Sequence, residues 1–295
     1  MDMSAAHGTV AVGVDGSDPG GAALAWASHQ AGLEGRTVAV VHACGLPGAI
    51  QDFEDVVANE RGLMSVGRSI AREAVNDVRE VDPTLGVSMV VGMGHAEQVL
   101  LEVSETAHLL VVGARGRGTV SRALLGSVSA RIARESMCPV VIVRETPGSR
   151  SHRPELPVVV GVDGTAVSSA AVEFAFHMAS VRRAPLTVMH ATWDLREQVS
   201  PVMDLRSLHE KVNLGQEERL MAETIAGLCE KYPELAVTES CRRGEPVRRL
   251  VEASREASLV VVGTRGRRLR ATTLLGSVSR GVAERALCPV AVVRP

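Results

Sequence analysis

The chain carries one pattern twice, and a duplication of this length leaves few folds open to it. Val111-Val112-Gly113-Ala114-Arg115-Gly116, nine further residues and Gly126-Ser127-Val128-Ser129 return as Val261-Val262-Gly263-Thr264-Arg265-Gly266, nine residues and Gly276-Ser277-Val278-Ser279. Upstream, Val10-Ala11-Val12-Gly13-Val14-Asp15-Gly16-Ser17 answers Val158-Val159-Val160-Gly161-Val162-Asp163-Gly164-Thr165, and Val40-Val41-His42-Ala43 answers Val188-Met189-His190-Ala191. The offset is 148 residues near the start of each copy and 150 near its end. Two domains of ordinary size follow, at 1–146 and 157–295. The linker, 147–156, opens on Pro147-Gly148-Ser149 and has no apolar period.

Within each copy apolar runs alternate with helical patterns. In the first, Val10 to Val14, Val38 to Val41, Leu85 to Val91, Leu109 to Gly113 and Val140 to Val143 read as buried parallel strands. Gly20 to Gly32, Val56 to Val81, Ala96 to Thr106 and Ser127 to Ser136 read as the helices between them. This alternation implies an α/β domain, a parallel sheet covered by helices on both faces. With strand order 3-2-1-4-5, the first strand, ending at Asp15, lies beside the fourth, ending at Gly113, where ligands enter doubly wound sheets.

The glycine-rich turn sits between a strand and a helix in both copies. Glycine lets backbone N–H groups approach an anion, and a helix N-terminus adds unpaired N–H donors and the positive end of its dipole. An aspartate opposite such a turn repels phosphate unless a cation such as Mg²⁺ intervenes, or else it accepts a hydrogen bond from a nucleotide hydroxyl or base. No P-loop lysine is present: Lys211 and Lys231 are the only lysines, and neither adjoins a glycine-rich turn.

Composition narrows the partners. A net charge of -2 and 2% aromatic residues give neither a field for a polyanion nor surfaces on which bases stack, which argues against nucleic acid. No apolar run approaches membrane-span length, and the N-terminus lacks a secretory pattern, so a cytoplasmic protein with no membrane association is expected. Cys44, Cys138, Cys229, Cys241 and Cys288 show no metal-ligand spacing and read as reduced thiols. Cys138 and Cys288, each before a proline and a buried strand, read as core residues.

Strand-ending Asp15, the Val-His-Ala after the second strand and the Gly-x-x-Gly-x₉-Gly-Ser-Val-Ser turn together resemble the universal stress protein family in its nucleotide-binding branch. The resemblance spans both halves and matches the tandem type found among actinobacteria. It implies two Rossmann-like domains (adenine nucleotide α hydrolase-like), each binding ATP. Gly13, Val14 and Asp15 would then line the adenosine side, and Ala43 would offer its backbone to adenine. Gly113 and Gly116 would admit ribose and phosphates, with Arg117 in reach, and Gly126, Ser127, Val128 and Ser129 would hold phosphate oxygens with N–H and hydroxyl donors. The second half repeats this at Gly161, Val162, Asp163, Ala191, Gly263, Gly266, Arg267, Gly276, Ser277, Val278 and Ser279. Asp15 and Asp163 would meet Mg²⁺ bound to ATP.

Two ATP molecules per chain, a regulatory role in stress or dormancy and an unidentified protein partner are the resulting expectations. The segments Cys44 to Asp55 and Arg117 to Leu125, with their equivalents, are expected to respond to the nucleotide. No catalytic residue is assigned, because no second acidic or glutamine residue is placed to direct a water at the γ-phosphate. Slow hydrolysis and a nucleotide-independent scaffold stay as alternatives. An enzyme of adenylate-type chemistry is disfavoured by the missing Ser-Gly-Gly loop after the first strand. His42 and His190 read as positional residues at strand ends. Arg115, Arg265, Arg268 and Arg270 are further candidates for the phosphates; Arg268 and Arg270 replace Gly118 and Val120 of the first copy, making the second loop more basic. The resemblance also implies pairing of last strands, Val140 to Val143 with Val290 to Val293, and leaves a homodimer of the whole chain open.

Overall fold

The computed structural model describes residues 4–45, 53–116, 125–144, 155–163, 166–192, 222, 225–264 and 275–294. The chain divides into two compact units, Met1–Ser149 and Arg150–Pro295. The first contains β1 (Val10–Gly13), α1 (Asp18–Glu34), β2 (Val38–Cys44), α2 (Phe53–Val81), β3 (Val87–Met93), α3 (Ala96–Ser104), β4 (Leu109–Gly113), α4 (Ser127–Glu135) and β5 (Val140–Val143). All its strand pairs are parallel: β1 lies between β2 and β4, β3 flanks β2, and β5 flanks β4.

Valine-rich strands and alanine-rich helix faces make the core. Val10, Val12, Val38, Val40, Leu109 and Val111 are fully buried, as a parallel sheet covered on both faces requires. Helix α1 begins two residues earlier than its glycine-rich start suggests, because Ser17 caps it by accepting from Gly20 N–H and Pro19 fits the first turn. The third strand starts at Val87 rather than Leu85: the Asp82 carboxylate accepts from the Thr84 N–H (2.9 Å) and hydroxyl, and this turn takes in Leu85.

The first strand ends at Gly13, so Asp15 stands two residues beyond it and not at its tip. Val14 N–H still donates to the Val41 carbonyl (2.9 Å), but the Val14 carbonyl accepts from His42 Nδ1 at 2.8 Å. A side chain thus takes over where the ladder stops.

The second unit repeats the plan with β6 (Val158–Val162), α5 (Ala166–Arg182), β7 (Leu186–Thr192), β8 (Val237–Arg243), a helix Pro246–Ala253, β9 (Leu259–Gly263), a helix Ser277–Arg285 and β10 (Val290–Val293). Its parallel sheet has β6 between β7 and β9, with β8 and β10 outside them. Residues 46–52 and 117–124, within the segments expected to respond to nucleotide, lie outside the described residues, as do Arg117, Arg265, Gly266, Arg267, Arg268 and Arg270. Among the described residues no helix is long and apolar enough to cross a membrane.

None of the five cysteines forms a disulfide. Burial pushes the Cys138 thiol up to about 11 and that of Cys288 up to about 12, which keeps both protonated and unreactive inside the core.

Candidate functional site

A cavity of about 360 Å³ opens at the carboxyl ends of β1, β2 and β4 in the first half. Gly13, Val14, Asp15, Ala43, Gly113, Gly116, Gly126, Ser127, Val128 and Ser129 all line it, which brings together every described first-half residue singled out from the sequence. Gly20, Val41, His42, Ala96, Leu100, Val112 and Arg115 complete the wall. The size is within the usual range for a small-molecule site.

Each wall has a local cause. Gly113 closes β4 so near α1 that a Cβ there would stand 2.8 Å from the Pro19 carbonyl oxygen; only glycine lets the strand run out at this point. A Cβ on Gly116 would stand 2.5 Å from Asp15 Oδ2, so the loop passes the carboxylate with bare backbone. Asp15 itself is held in place: Oδ1 accepts from the Ser17 N–H at 3.1 Å and from the Ser17 hydroxyl. Helix α4 starts at an N-cap, Gly126, that supplies no side-chain acceptor to the first-turn N–H groups. These donors and the helix dipole make the wall a place for an anion.

Ser129 does something other than the sequence expectation for its hydroxyl. Its Oγ is buried and donates to the Gly113 carbonyl at 2.7 Å, tying the helix to the end of β4. The second half repeats the tie, Ser279 Oγ to the Gly263 carbonyl. His42 likewise donates from Nδ1 to Val14, as His190 does to Val162 at 2.8 Å, the positional role expected of both. Burial raises the Cys44 thiol at the end of β2 as well.

The apolar floor from α3, Ala96 and Leu100, was not anticipated. Gly94 before α3 and Gly244 before the helix Pro246–Ala253 both adopt left-handed φ, 125° and 123°, so both copies turn from the third strand of the half into a helix in the same way. A Cβ on Gly13 would meet the Leu100 methyls at 3.2 Å, and one on Gly161 would meet Leu250 at 2.9 Å.

In the second half Gly161, Val162, Asp163, Ala191, Gly263, Gly276, Ser277, Val278 and Ser279 occupy the corresponding strand ends and helix start. Gly276 is again an N-cap without a side-chain hydrogen bond.

The universal stress protein family model matches residues 7–144 and 156–294. A universal stress protein of Mycobacterium tuberculosis is 35% identical over 296 residues, covering 97% of this chain and 96% of that protein. Another, from Mycolicibacterium smegmatis, is 31% identical over 303 residues and covers 100% of both. Among solved structures, a universal stress protein from Archaeoglobus fulgidus superposes with a TM-score of 0.72 at 19% identity, covering 97% of this chain and 98% of that one, which is a likeness of fold.

Proposed function

The chain belongs to the universal stress protein family, and from that premise we propose that each half binds one ATP and that the protein is a nucleotide-dependent regulator, not a dedicated enzyme. The observation that carries this reading is the first-half cavity, which gathers the strand-end backbone, the glycine turn and an uncapped helix start around one space. Ala43 would present its backbone to the adenine edge, with Gly13, Val14 and Asp15 along the adenosine. The bare backbone at Gly113 and Gly116 would admit ribose and phosphates, and the N–H groups at the start of α4 would take phosphate oxygens.

Bound ATP would bring Mg²⁺ on its phosphates. Among the described residues Asp15 is the one acid lining the cavity, which suits an ion that keeps most of its ligands from phosphate and water. The same scarcity supports binding over turnover: the Oδ1 oxygen of Asp15 already accepts two hydrogen bonds from Ser17, and among the described residues no further acid lines the cavity to orient a water. A cytoplasmic setting, a role in stress or dormancy and an as yet unidentified protein partner belong to this proposal.

The test is acid release of small molecules from the purified chain, with identification by mass spectrometry, followed by titration with ATP–Mg²⁺. Two adenine nucleotides per chain, mostly ATP, are expected. Gly116→Ala, which sets a methyl against Asp15, should weaken first-half binding at least about tenfold, roughly 1.4 kcal/mol. Mostly ADP would favour slow hydrolysis. No nucleotide and no titration signal would overturn the reading in favour of a scaffold that acts through partners alone.

A further inference from the structure

We propose that one position in the first turn of the helix after the leading strand makes the two ATP sites unequal: Gly20 in the first half, Ser168 in the second. The inference rests on the ATP-binding reading above.

Helices α1 and α5 are both 17 residues long, and Gly20 and Ser168 are the third residue of each. Gly20 lines the cavity beside Asp15. A Cβ at Gly20 would stand 3.0 Å from Asp15 Oδ1 and 3.6 Å from Ser17 Oγ, so in the first half position 20 adds no side chain to this flank of the carboxylate beside the Ser17 hydroxyl. At the same helix position, 148 residues on, the second half carries the Cβ and hydroxyl of Ser168. This serine is only 4% exposed, so both groups are inside the fold and not in solvent.

Two consequences follow from the chemistry. The methylene takes space that is cavity wall in the first half. The hydroxyl is a donor beside a carboxylate, and it competes there with a ligand hydroxyl or a cation. The first half therefore holds the nucleoside more tightly. The loop arginines of the second half, Arg265, Arg267, Arg268 and Arg270, act on phosphate charge, so adenosine isolates the effect of position 168 from theirs.

The experiment is calorimetric titration of the full chain with adenosine and with ATP–Mg²⁺, for wild type, Gly20→Ser, Ser168→Gly and Ser168→Ala. In the wild type two classes of adenosine site are expected, about three- to tenfold apart, the scale of one hydrogen bond. Ser168→Gly should raise the weaker class toward the tighter one, Ser168→Ala should raise it part of the way, and Gly20→Ser should lower the tighter class. Should Gly20→Ser fail to fold, the two Ser168 variants still decide. Sites of equal affinity for adenosine that no variant moves would overturn this inference and leave the ATP reading standing. An absence of ATP binding in either half would overturn both.

Discussion

In the first half α3 and α4 meet through charge: Arg131 Nη1 lies 3.6 Å from Glu97 Oε1, with both side chains partly exposed. In the second half the equivalent positions hold Gly281 and Val247, and the helices meet through packing. Val247 is 5% exposed, and a Cβ on Gly281 would stand 2.9 Å from Val247 Cγ1. An exposed ion pair contributes about 0–1 kcal/mol, whereas a buried valine contributes about 1.5–3 kcal/mol. The contact has changed as a pair: a valine facing a long arginine would not be covered, and a glutamate facing Gly281 would lose the arginine that position 131 supplies in the first half.

Positions that serve the backbone tell the opposite story. Ser104 Oγ donates to the Leu101 carbonyl and accepts from the Met137 N–H at 3.0 Å; Ser254 does the same with Val251 and Leu287, also at 3.0 Å. Ser129 with Ser279 and His42 with His190 are equally matched. A main-chain donor or acceptor presents the same demand whichever side chains surround it, while a contact between two side chains can be rewritten if both partners change.

The most severe test of this contrast is Gly281→Val. Forcing a branched side chain into the space of Val247 should cost the second half about 2–3 kcal/mol in denaturant unfolding, and Val247→Ala on the same background should recover part of it. A neutral Gly281→Val would show that the helices are not in packing contact.

Alkaline titration compares the two cores. Below pH 9 both folded and unfolded thiols are protonated and no penalty exists. Above it the unfolded thiols ionise while Cys138 holds its proton to about 11 and Cys288 to about 12, so stability present below pH 9 is lost as pH rises toward those values. Each thiol should remove at most about 1.4 kcal/mol per pH unit. Cys138→Ala and Cys288→Ala should each flatten that slope for their own half. An unchanged slope would mean that these thiols are not shielded from water.

Smaller still, Ser104→Ala and Ser254→Ala should each cost about 1–2 kcal/mol, and nearly the same amount, because each strands one main-chain N–H. Unequal costs would show that the two ties differ in strength. Glu97→Gln should cost the first half under about 1 kcal/mol and lose that effect in high salt. A larger, salt-insensitive loss would put the charge pair on a par with the valine.

Sequence carried the sheet well, because runs such as Leu109–Gly113 and Val140–Val143 are too apolar and too short for anything but buried strands. It also carried the helix starts at Ser127 and Ser277, where the residue types follow from local backbone needs. Its errors came where a distant side chain intervenes. Asp15 was read as the strand tip because nothing within the Val10 to Asp15 run shows that His42, 28 residues on, takes the Val14 carbonyl. The bond of the Ser129 hydroxyl to the Gly113 carbonyl spans 16 residues, and a local motif does not show it. The floor from Leu100 was missed because an amphipathic helix does not reveal which of its apolar residues meets a strand end.

The paired histidines are fixed in one ring form. A carbonyl oxygen can only accept, so the neutral rings of His42 and His190 must both carry hydrogen on Nδ1, which fixes one tautomer in each half. The strand ends at Val14 and Val162 are therefore held by the same tautomer in each half, and nitrogen-15 NMR of the two neutral rings should place the hydrogen on Nδ1 in both.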